Sequence, residues 1–132
     1  MILGIGTDII EVSRIEASHE KFGERFLNRI LLPGEIAYCL SHRKPGPFLA
    51  ARFAAKEAIS KAFGTGIGAS LGWLDMEIMR RDSGEPYVVL HNAGLELFRA
   101  RKAIRLLLTL SHTQVHAVAM AVLEGKEEAK EA

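Results

Sequence analysis

Three side chains carry groups that suit phosphate and metal chemistry: Asp8, Glu57 and Lys61. Asp8 follows the apolar stretch MILGIGT, and a carboxylate at the margin of a buried strand costs free energy unless it is paired or binds a metal. Glu57 and Lys61 are four residues apart in a stretch of helical character, so they share one helix face. If Asp8 meets Glu57, the two carboxylates can hold Mg²⁺, which binds through one or two carboxylates together with phosphate oxygens and water. Lys61 would then neutralise phosphate charge.

Each of these residues also has a purely structural explanation. Asp8 can form an Asx turn or cap the following helix. Glu57 can form an ion pair with Lys61 one turn later, which contributes only a few tenths of a kcal/mol. The spacing leaves these alternatives open, because it does not show whether the two carboxylates converge.

A glycine-rich run, Gly64-Thr65-Gly66-Ile67-Gly68, follows Lys61 closely. Its letters match part of a dinucleotide-binding fingerprint, but that motif must follow a strand and open a helix, whereas this run closes one. The run indicates either a helix C-cap with a tight turn or backbone N–H groups offered to a phosphate. Farther along, His112 and His116 are four apart in a strand-like stretch that lacks the H-E-x-x-H pattern, so we do not predict zinc.

The composition excludes several classes of protein. The chain has 132 residues, of which 48% are hydrophobic, and this suits one domain. A net charge of +1 does not indicate nucleic-acid binding, and no apolar run approaches the roughly 20 residues that span a bilayer. The N-terminus lacks the basic segment and cleavage site of a signal peptide. We therefore predict a cytoplasmic protein with one domain over residues 1–124 and a frayed polar tail over 125–132, in which the one cysteine, Cys39, is a small buried hydrophobe.

The elements that must position these residues follow from periodicity and from turn signals. The fold class is α+β, with antiparallel strand pairs beside several helices. The first helix begins at the capping-box pattern Ser13-x-x-Glu16, and Asn92 caps a later one. The predicted strands are 2–10, 73–81, 87–91, 104–111 and 115–124, and the other helices are Pro33 to Leu40, Pro47 to Phe63 and Asn92 to Lys102.

The helix from Pro47 to Phe63 should bury one stripe and leave the other side open. At about 100° per residue, Glu57 and Lys61 lie opposite the core-facing stripe, flanked by small side chains, Ala50 and Ala54. Arg52 and Lys56 are expected between the two faces. The predicted core stripe comprises Phe48, Ala51, Ala55, Ile59 and Ala62.

Taken together, five stretches resemble the holo-acyl-carrier-protein synthases, the short phosphopantetheinyl transferases. They are GIGTDIIEVSRI, RFAAKEAISKAFGTGIG, LDMEI, GEPYV and LTLSHTQVHAVAMAVLE, in the order found in the family. The resemblance covers nearly the whole chain and is weakest over residues 17–44. It implies the phosphopantetheinyl transferase fold, in which a long helix packs on a largely antiparallel sheet.

The resemblance also implies an activity. Members of the family move 4′-phosphopantetheine from coenzyme A to a serine of apo acyl carrier protein, which serves fatty acid biosynthesis and lipid metabolism. They need Mg²⁺, and they are typically homotrimers with active sites at subunit interfaces. Asp8 and Glu57 match the metal ligands, and Lys61 matches the lysine at the transferred phosphate. Glu57 is the candidate base, acting directly or through a metal-bound water, so the expected catalytic residues are Glu57 and Lys61.

The resemblance places coenzyme A along the same helix. The 3′-phosphate is expected at Lys44 and Arg52, the other phosphates at His112 and Thr113, and the nucleotide close to the glycine-rich run. Gln114, Val115 and His116 depart from the family pattern, so no role is carried over to them. The expected coenzyme A-binding residues are Lys44, Arg52, Lys61, Gly64, Gly66, His112 and Thr113.

The first helix and its continuation are the expected docking surface for the acidic carrier protein. Arg14, Lys21 and Arg25 are the predicted carrier-binding residues, and Arg29 adds charge nearby. Three hydrophobic side chains would add apolar contact, and three interleaved glutamates leave open an ordinary solvated helix of mixed charge. These hydrophobic residues are Ile15, Phe22 and Phe26, and the glutamates are Glu16, Glu20 and Glu24.

Two other functions remain alternatives. A binding module would hold coenzyme A or another phosphorylated ligand without turnover, and a structural subunit would need an obligate partner. The pair of carboxylates with Lys61 favours catalysis, because a mere anion binder needs cations more than it needs a metal pair.

Overall fold

A computed structural model describes residues 1–127 and has the predicted α+β architecture. A three-stranded antiparallel sheet has the order β1-β5-β4, and β2 and β3 form a separate antiparallel pair. The strands are β1 (Ile2–Glu11), β2 (Met76–Arg80), β3 (Pro86–Leu90), β4 (Ala103–His112) and β5 (His116–Gly125). The helices are α1 (Val12–Phe22), α2 (Glu24–Ile30), α3 (Pro33–Leu40), α4 (Gly46–Phe63) and α5 (Asn92–Ala100), with a 3₁₀ turn over Trp73–Asp75.

Helix α4 packs unusually close to the sheet because small residues line both sides of the contact. A Cβ atom at Gly4 or at Gly6 would overlap the carbonyl oxygen of Ala62 or of Ala58, respectively. The residues of β5 that face α4 are also mostly small, and all are fully buried: Ala117, Ala119, Ala121 and Leu123. The helix therefore sits directly on the backbone of β1.

The other face of the same sheet is apolar and exposed. Ile5 and Ile9 of β1 are 64% and 65% exposed, and both alternate with residues that face α4. Their neighbours on β4 and β5 extend the patch, which we call the outer sheet face: Ile5, Ile9, Leu107, Val118 and Met120.

The prediction that one side of α4 is open to solvent is wrong. The core stripe is largely as predicted, with Ala51, Ala55, Ile59 and Ala62 buried and Phe48 half-buried, but Ala50, Ala54 and Lys56 have no exposed surface and Arg52 is only 3% exposed. The helix lies between the sheet on one side and α1, α3 and β2 on others, so nearly every position is covered. Glu57 and Lys61 are the exceptions that reach solvent in its second half.

Two of the predicted helix starts are also wrong. Helix α1 begins at Val12, with Glu11 as N-cap and no side-chain cap, because the Val12 N–H donates to the carbonyl of Val115 at 2.8 Å. Ser13 therefore lies inside the helix. Asn92 is the first residue of α5 rather than its cap, and has a positive φ of 46°.

Other boundaries differ in part from the predictions. Helix α3 spans Pro33–Leu40 as predicted, and Gly64 ends α4 in the left-handed region at φ 81°. Trp73–Asp75 forms a 3₁₀ turn instead of the start of a strand. Strand β1 continues beyond Asp8 to Glu11, so this carboxylate lies within the strand and not at its end.

Strand β5 extends one residue into the predicted tail. Gly125 still belongs to β5, where its N–H donates to the carbonyl of Met1 at 2.8 Å. Lys126 and Glu127 follow as exposed residues, and the rest of the predicted tail, 128–132, lies outside the described residues. Cys39 is buried as predicted. Over residues 1–127, none of the helices has the length and apolarity needed to cross a membrane.

Candidate active site

The first group of site residues lies where the second half of α4 crosses β1. Asp8 is paired with Ala119 in the sheet, and its Oδ1 accepts a hydrogen bond from Lys61 Nζ at 3.1 Å. The same ammonium donates to the Thr7 carbonyl at 2.9 Å. Lys61 therefore pairs with the strand carboxylate, and no ion pair with Glu57 is present among the residues described.

Glu57 lies one helical turn before Lys61 on the same face of α4 and belongs to the same group. Burial raises the pKa of the Glu57 carboxyl, the negative charge of Asp8 raises it further, and Lys61 opposes the shift. Since Lys61 bonds to Asp8 and shares a face of α4 with Glu57, Asp8, Glu57 and Lys61 converge. We call these three residues the carboxylate end of α4.

The carboxylate end fits a magnesium ion by the chemistry of its donors. Two carboxylates close together repel each other when both are ionised. A divalent cation bound between them would relieve this repulsion. Within residues 1–127 no cluster of three His, Cys, Asp or Glu side chains is found. A dedicated all-protein cage is therefore absent there, whereas Mg²⁺ commonly takes one or two carboxylates and completes its shell with substrate phosphates and water.

The glycine-rich run next to this group does not offer a row of free amides. The Gly64 N–H donates to Lys61 O at 3.0 Å, and those of Thr65 and Gly66 both donate to Ser60 O, at 3.1 and 3.2 Å. Of the two alternatives for this run, the helix C-cap is the one present, because the amides of Gly64 and Gly66 satisfy the last carbonyls of α4. What these glycines still permit is close approach of a ligand, since a Cβ at either would meet nothing within 4 Å.

Arg101, which the sequence did not single out, holds the end of α4 in place. Its Nη1 donates to the Phe63 carbonyl at 2.6 Å and its Nη2 to the Leu3 carbonyl at 3.2 Å. A guanidinium at a helix C-terminus satisfies an unpaired carbonyl and complements the partial negative charge there. The clamp fixes α4 to β1 directly before the glycine-rich run.

The second group of site residues lies toward the start of α4. The Arg52 guanidinium stacks 4.2 Å from the centre of the Tyr38 ring, and its buried Nε has no hydrogen-bond partner among the described residues. Arg80 reaches the same tyrosine and donates to its hydroxyl at 2.6 Å. Both arginines line a cleft of about 250 Å³ together with Ser111 and His112, so the cleft is positively charged.

A wider cleft of about 500 Å³ adjoins the first one. Lys44, His112 and Thr113 line it. Its wall is aromatic, because the His42 ring stacks on Phe48 with centroids 3.5 Å apart and His112 contacts Phe48 edge-on at 5.0 Å. We call the four predicted residues of the two clefts the basic end of α4: Lys44, Arg52, His112 and Thr113.

Thr113 has a structural task in the turn between β4 and β5. Its hydroxyl oxygen accepts from the N–H groups of Val115 and His116, at 3.1 and 3.0 Å. The hydroxyl also donates to the His116 carbonyl over a long distance of 3.5 Å, so Thr113 would contact a ligand as a donor, in exchange for that long hydrogen bond.

The two ends are separate within one chain. Arg52 and Lys61 are nine residues apart on α4, which is about 13 Å along a helix axis. The structure thus brings together Asp8, Glu57 and Lys61, and separately Lys44, Arg52, His112 and Thr113, but not the two sets.

The predicted carrier-docking residues lie on α1 and α2. Arg14 and Lys21 are exposed, and the Lys21 ammonium lies 5.2 Å from the centre of the exposed Phe22 ring. Ile15 is only 3% exposed, so the expected apolar contact from this residue is wrong. The other hydrophobic residues remain accessible in a cleft of about 380 Å³ lined by Ser18, Phe22, Arg25, Phe26 and Arg29.

Comparisons with known proteins show which family this chain resembles. Residues 4–121 match the model of the 4′-phosphopantetheinyl transferase superfamily. A holo-[acyl-carrier-protein] synthase of Protochlamydia amoebophila is 48% identical over 122 residues, covering 92% of this chain and 98% of the relative. The crystal structure of the synthase from Neisseria meningitidis is 37% identical with a TM-score of 0.88, covering 94% of this chain and 99% of that one. The Helicobacter pylori synthase, solved in complex with coenzyme A, is 34% identical with a TM-score of 0.82, covering 91% and 99%.

Proposed function

Because the chain belongs to the 4′-phosphopantetheinyl transferase superfamily, we propose that it transfers 4′-phosphopantetheine from coenzyme A to a serine of apo acyl carrier protein. A bond forms between the serine oxygen and the phosphorus that carries pantetheine. The bond from that phosphorus to the bridging oxygen breaks, and adenosine 3′,5′-bisphosphate leaves. The convergence of Asp8, Glu57 and Lys61 in a chain so similar to known synthases carries this proposal.

Asp8 and Glu57 are the residues that would hold the magnesium ion. When bound, Mg²⁺ neutralises charge on the pyrophosphate and on the departing bisphosphate. Lys61 already lies 3.1 Å from Asp8, so its ammonium is placed to contact a phosphate that sits beside the two carboxylates. Positioning and charge neutralisation supply most of the catalysis in phosphoryl-type transfer.

Glu57 is the base in this proposal. A serine hydroxyl is a weak nucleophile that needs help to lose its proton. The pKa of Glu57 is raised above its ordinary value, which brings it nearer to the operating pH and makes it a better proton acceptor. The proton passes to the carboxylate directly or through one water molecule.

The basic end binds the nucleotide part of coenzyme A. Arg52 offers a buried guanidinium whose Nε is unpaired among the described residues, and Lys44 and His112 line the adjoining cleft. Arginine suits phosphate because its planar donors match the oxygens. Lys44 and Arg52 therefore take the 3′-phosphate, His112 and Thr113 contact the nucleotide's phosphates, and Gly64 and Gly66 allow close approach at the other end.

The carrier protein docks on α1 and α2. Arg14, Lys21 and Arg25 attract an acidic partner, and rim charges of this kind mainly speed association. The cleft beside Arg25, with Phe22 and Phe26 in its wall, accepts an apolar side chain. The partners are thus coenzyme A and an acidic protein, in a cytoplasmic reaction that serves fatty acid biosynthesis.

The active enzyme is a homotrimer in this proposal, with each site shared between subunits. The outer sheet face supports this view, because it exposes large apolar side chains such as Ile5 and Ile9 at 64% and 65%. Contiguous apolar patches of this kind mark protein–protein contacts. The separation of the two ends of α4 supports it as well, since a neighbouring subunit can bring its basic end to the carboxylate end of the first.

Mass spectrometry of apo acyl carrier protein incubated with coenzyme A and Mg²⁺ tests the function. Wild type should add one phosphopantetheine per carrier, and Glu57→Ala should not. Transfer by both proteins would keep the function but remove Glu57 from its central role. Coenzyme A binding without transfer to any of several carriers would favour a binding module. Light scattering on a sizing column tests the trimer, and a monomeric active enzyme would exclude it.

A further inference from the structure

The most completely buried ion pair in the described chain lies one residue before Glu57. The side chain of Lys56 has no exposed surface, and that of Glu35 is 1% exposed. Lys56 Nζ donates to Glu35 Oε1 at 2.8 Å, to the Ile30 carbonyl at 2.7 Å and to the Trp73 carbonyl at 3.1 Å. An ammonium has three protons, so each one has a partner.

The carboxylate of Glu35 is satisfied in the same way. Its Oε1 also accepts from the Leu32 N–H at 2.9 Å, and its Oε2 accepts from the Ile78 N–H at 3.0 Å. Through its own two residues and their partners, the pair connects five parts of the chain: the end of α2, the start of α3, α4, the 3₁₀ turn and β2.

Stability alone does not explain this arrangement. A buried ion pair is often no more stabilising than apolar residues of the same volume, because both charges lose their hydration. Its hydrogen bonds are directional, however, so they fix where the connected segments lie relative to one another. With all three Lys56 protons committed, α4 can neither rotate nor slide against the end of α2 without breaking them.

The fixed segments are those that matter for transfer to a carrier protein. Helix α2 carries Arg25 and Arg29 of the docking cleft, and its last residue is Ile30, whose carbonyl accepts from Lys56. Glu57 follows Lys56 directly, about 100° around the helix. The pair thus links the surface that receives the carrier to the carboxylate that meets its serine.

We propose that Lys56 and Glu35 are positioning residues that set the carrier-docking helix α2 against the carboxylate of Glu57. The inference rests on the proposed function of Glu57 and of the docking cleft. Misplacement of reacting groups by about 1 Å can slow a reaction about 100-fold. Loss of the pair therefore impairs the use of the carrier protein while coenzyme A binding at the basic end persists.

The double variant Lys56→Met/Glu35→Gln tests this, because it removes both charges without leaving one buried and unpaired. Steady-state transfer is measured against carrier concentration, and coenzyme A affinity by calorimetry. We expect kcat/KM for the carrier to fall about 10- to 100-fold, and the Kd of coenzyme A to rise by clearly less, although Lys56 lies one turn from Arg52 on α4. Leu97→Ala in α5 is the control, since it truncates a partly buried side chain elsewhere and should lower Tm without changing either quantity.

Wild-type carrier kinetics in a folded double variant would overturn the inference, and so would an equal loss in Leu97→Ala. A fall in coenzyme A affinity as large as the fall in kcat/KM would also overturn it, because the pair would then support the whole fold. If the double variant does not fold, Lys56→Arg decides by the same criteria, since it keeps the charge but moves the donors. Failure of wild type to transfer at all would instead sink the proposed function.

Discussion

The two ends of α4 hold opposite kinds of chemistry. The carboxylate end has two acids, Asp8 and Glu57, and a half-exposed lysine that pairs with Asp8 on β1. The basic end has a buried arginine, a lysine and a histidine beside an aromatic wall. The helix macrodipole agrees with this division, because the N-terminus favours anions and the C-terminus favours cations. In the proposed function, this polarity of the helix suits a phosphate at its start and a metal at its end.

The contrast teaches which kinetic quantity each end should control. Groups that interact mainly with the changing charges of the reaction affect kcat, and groups that hold an unreactive part of the substrate affect KM. The first three predictions below test this division, and the fourth tests the crowding of the two carboxylates.

The largest effect is expected at the carboxylate end. Glu57→Gln keeps the shape of the side chain but removes the proton acceptor and a metal ligand, so kcat should fall about 100- to 10,000-fold. Quenched-flow transfer assays with saturating coenzyme A measure it. Glu96→Gln, an exposed substitution in α5, should match wild type. A Glu57→Gln enzyme with normal kcat and raised KM would reverse the assignment of the two ends.

At the basic end, Arg52→Met should raise the KM for coenzyme A about 10- to 100-fold and leave kcat nearly unchanged. Hydrogen bonds to a charged partner are worth about 1.5–3 kcal/mol, and methionine retains the packing. The decisive comparison uses coenzyme A without its 3′-phosphate, for which wild type and variant should have equal KM values. A persistent difference with that substrate would place the 3′-phosphate elsewhere.

Lys44→Ala should have a smaller effect at the same end. Lys44 is exposed, and exposed charge pairs contribute about 0.2–1 kcal/mol, so the KM for coenzyme A should rise about two- to fivefold. Because salt screens surface charges, the difference from wild type should shrink at high ionic strength. An effect that is independent of salt would mean that Lys44 is not paired with an anion.

The smallest effect concerns stability without metal. Because the pKa of Glu57 is raised in the folded protein, the folded state binds more protons than the unfolded state just above the ordinary pKa of 4.5. Stability from this group is therefore lost as pH rises through that window. Glu57→Gln should melt slightly above wild type at neutral pH in a chelator, and no difference should remain at pH values below 4.5. A lower Tm for the variant at neutral pH would contradict the crowding of the two carboxylates.

Local patterns predicted the carboxylate end better than they predicted the surroundings of α4. Asp8 was recognisable because a carboxylate in an apolar strand is unusual, whereas the E-x-x-x-K spacing of Glu57 is common on helices and gained its meaning from the family resemblance. The burial of Lys56 was not recognisable, because the alanines outside the predicted core stripe suit a buried surface as well as an exposed one. Its partner Glu35 is 21 residues away, and only the tertiary fold brings the two together.

The same limit applies to backbone hydrogen bonds. Ser13 had a capping-box pattern, yet the Val12 N–H is satisfied by Val115, which is distant in sequence. The sequence left open whether the amides of Gly64 and Gly66 are free, and in the structure they bond to the last turn of α4. A sequence shows which groups can form hydrogen bonds, whereas the fold determines which partner lies within bonding distance.

Gly4 and Gly6 set the spacing between α4 and β1, although neither has a functional side chain. They let α4 rest on the backbone of β1, and this contact sets the gap between Asp8 on the strand and Glu57 on the helix. A single methyl at Gly6 would push the helix outward and widen that gap. In a mutational survey, such a position would score like an active-site residue, and a search confined to reactive side chains would overlook it.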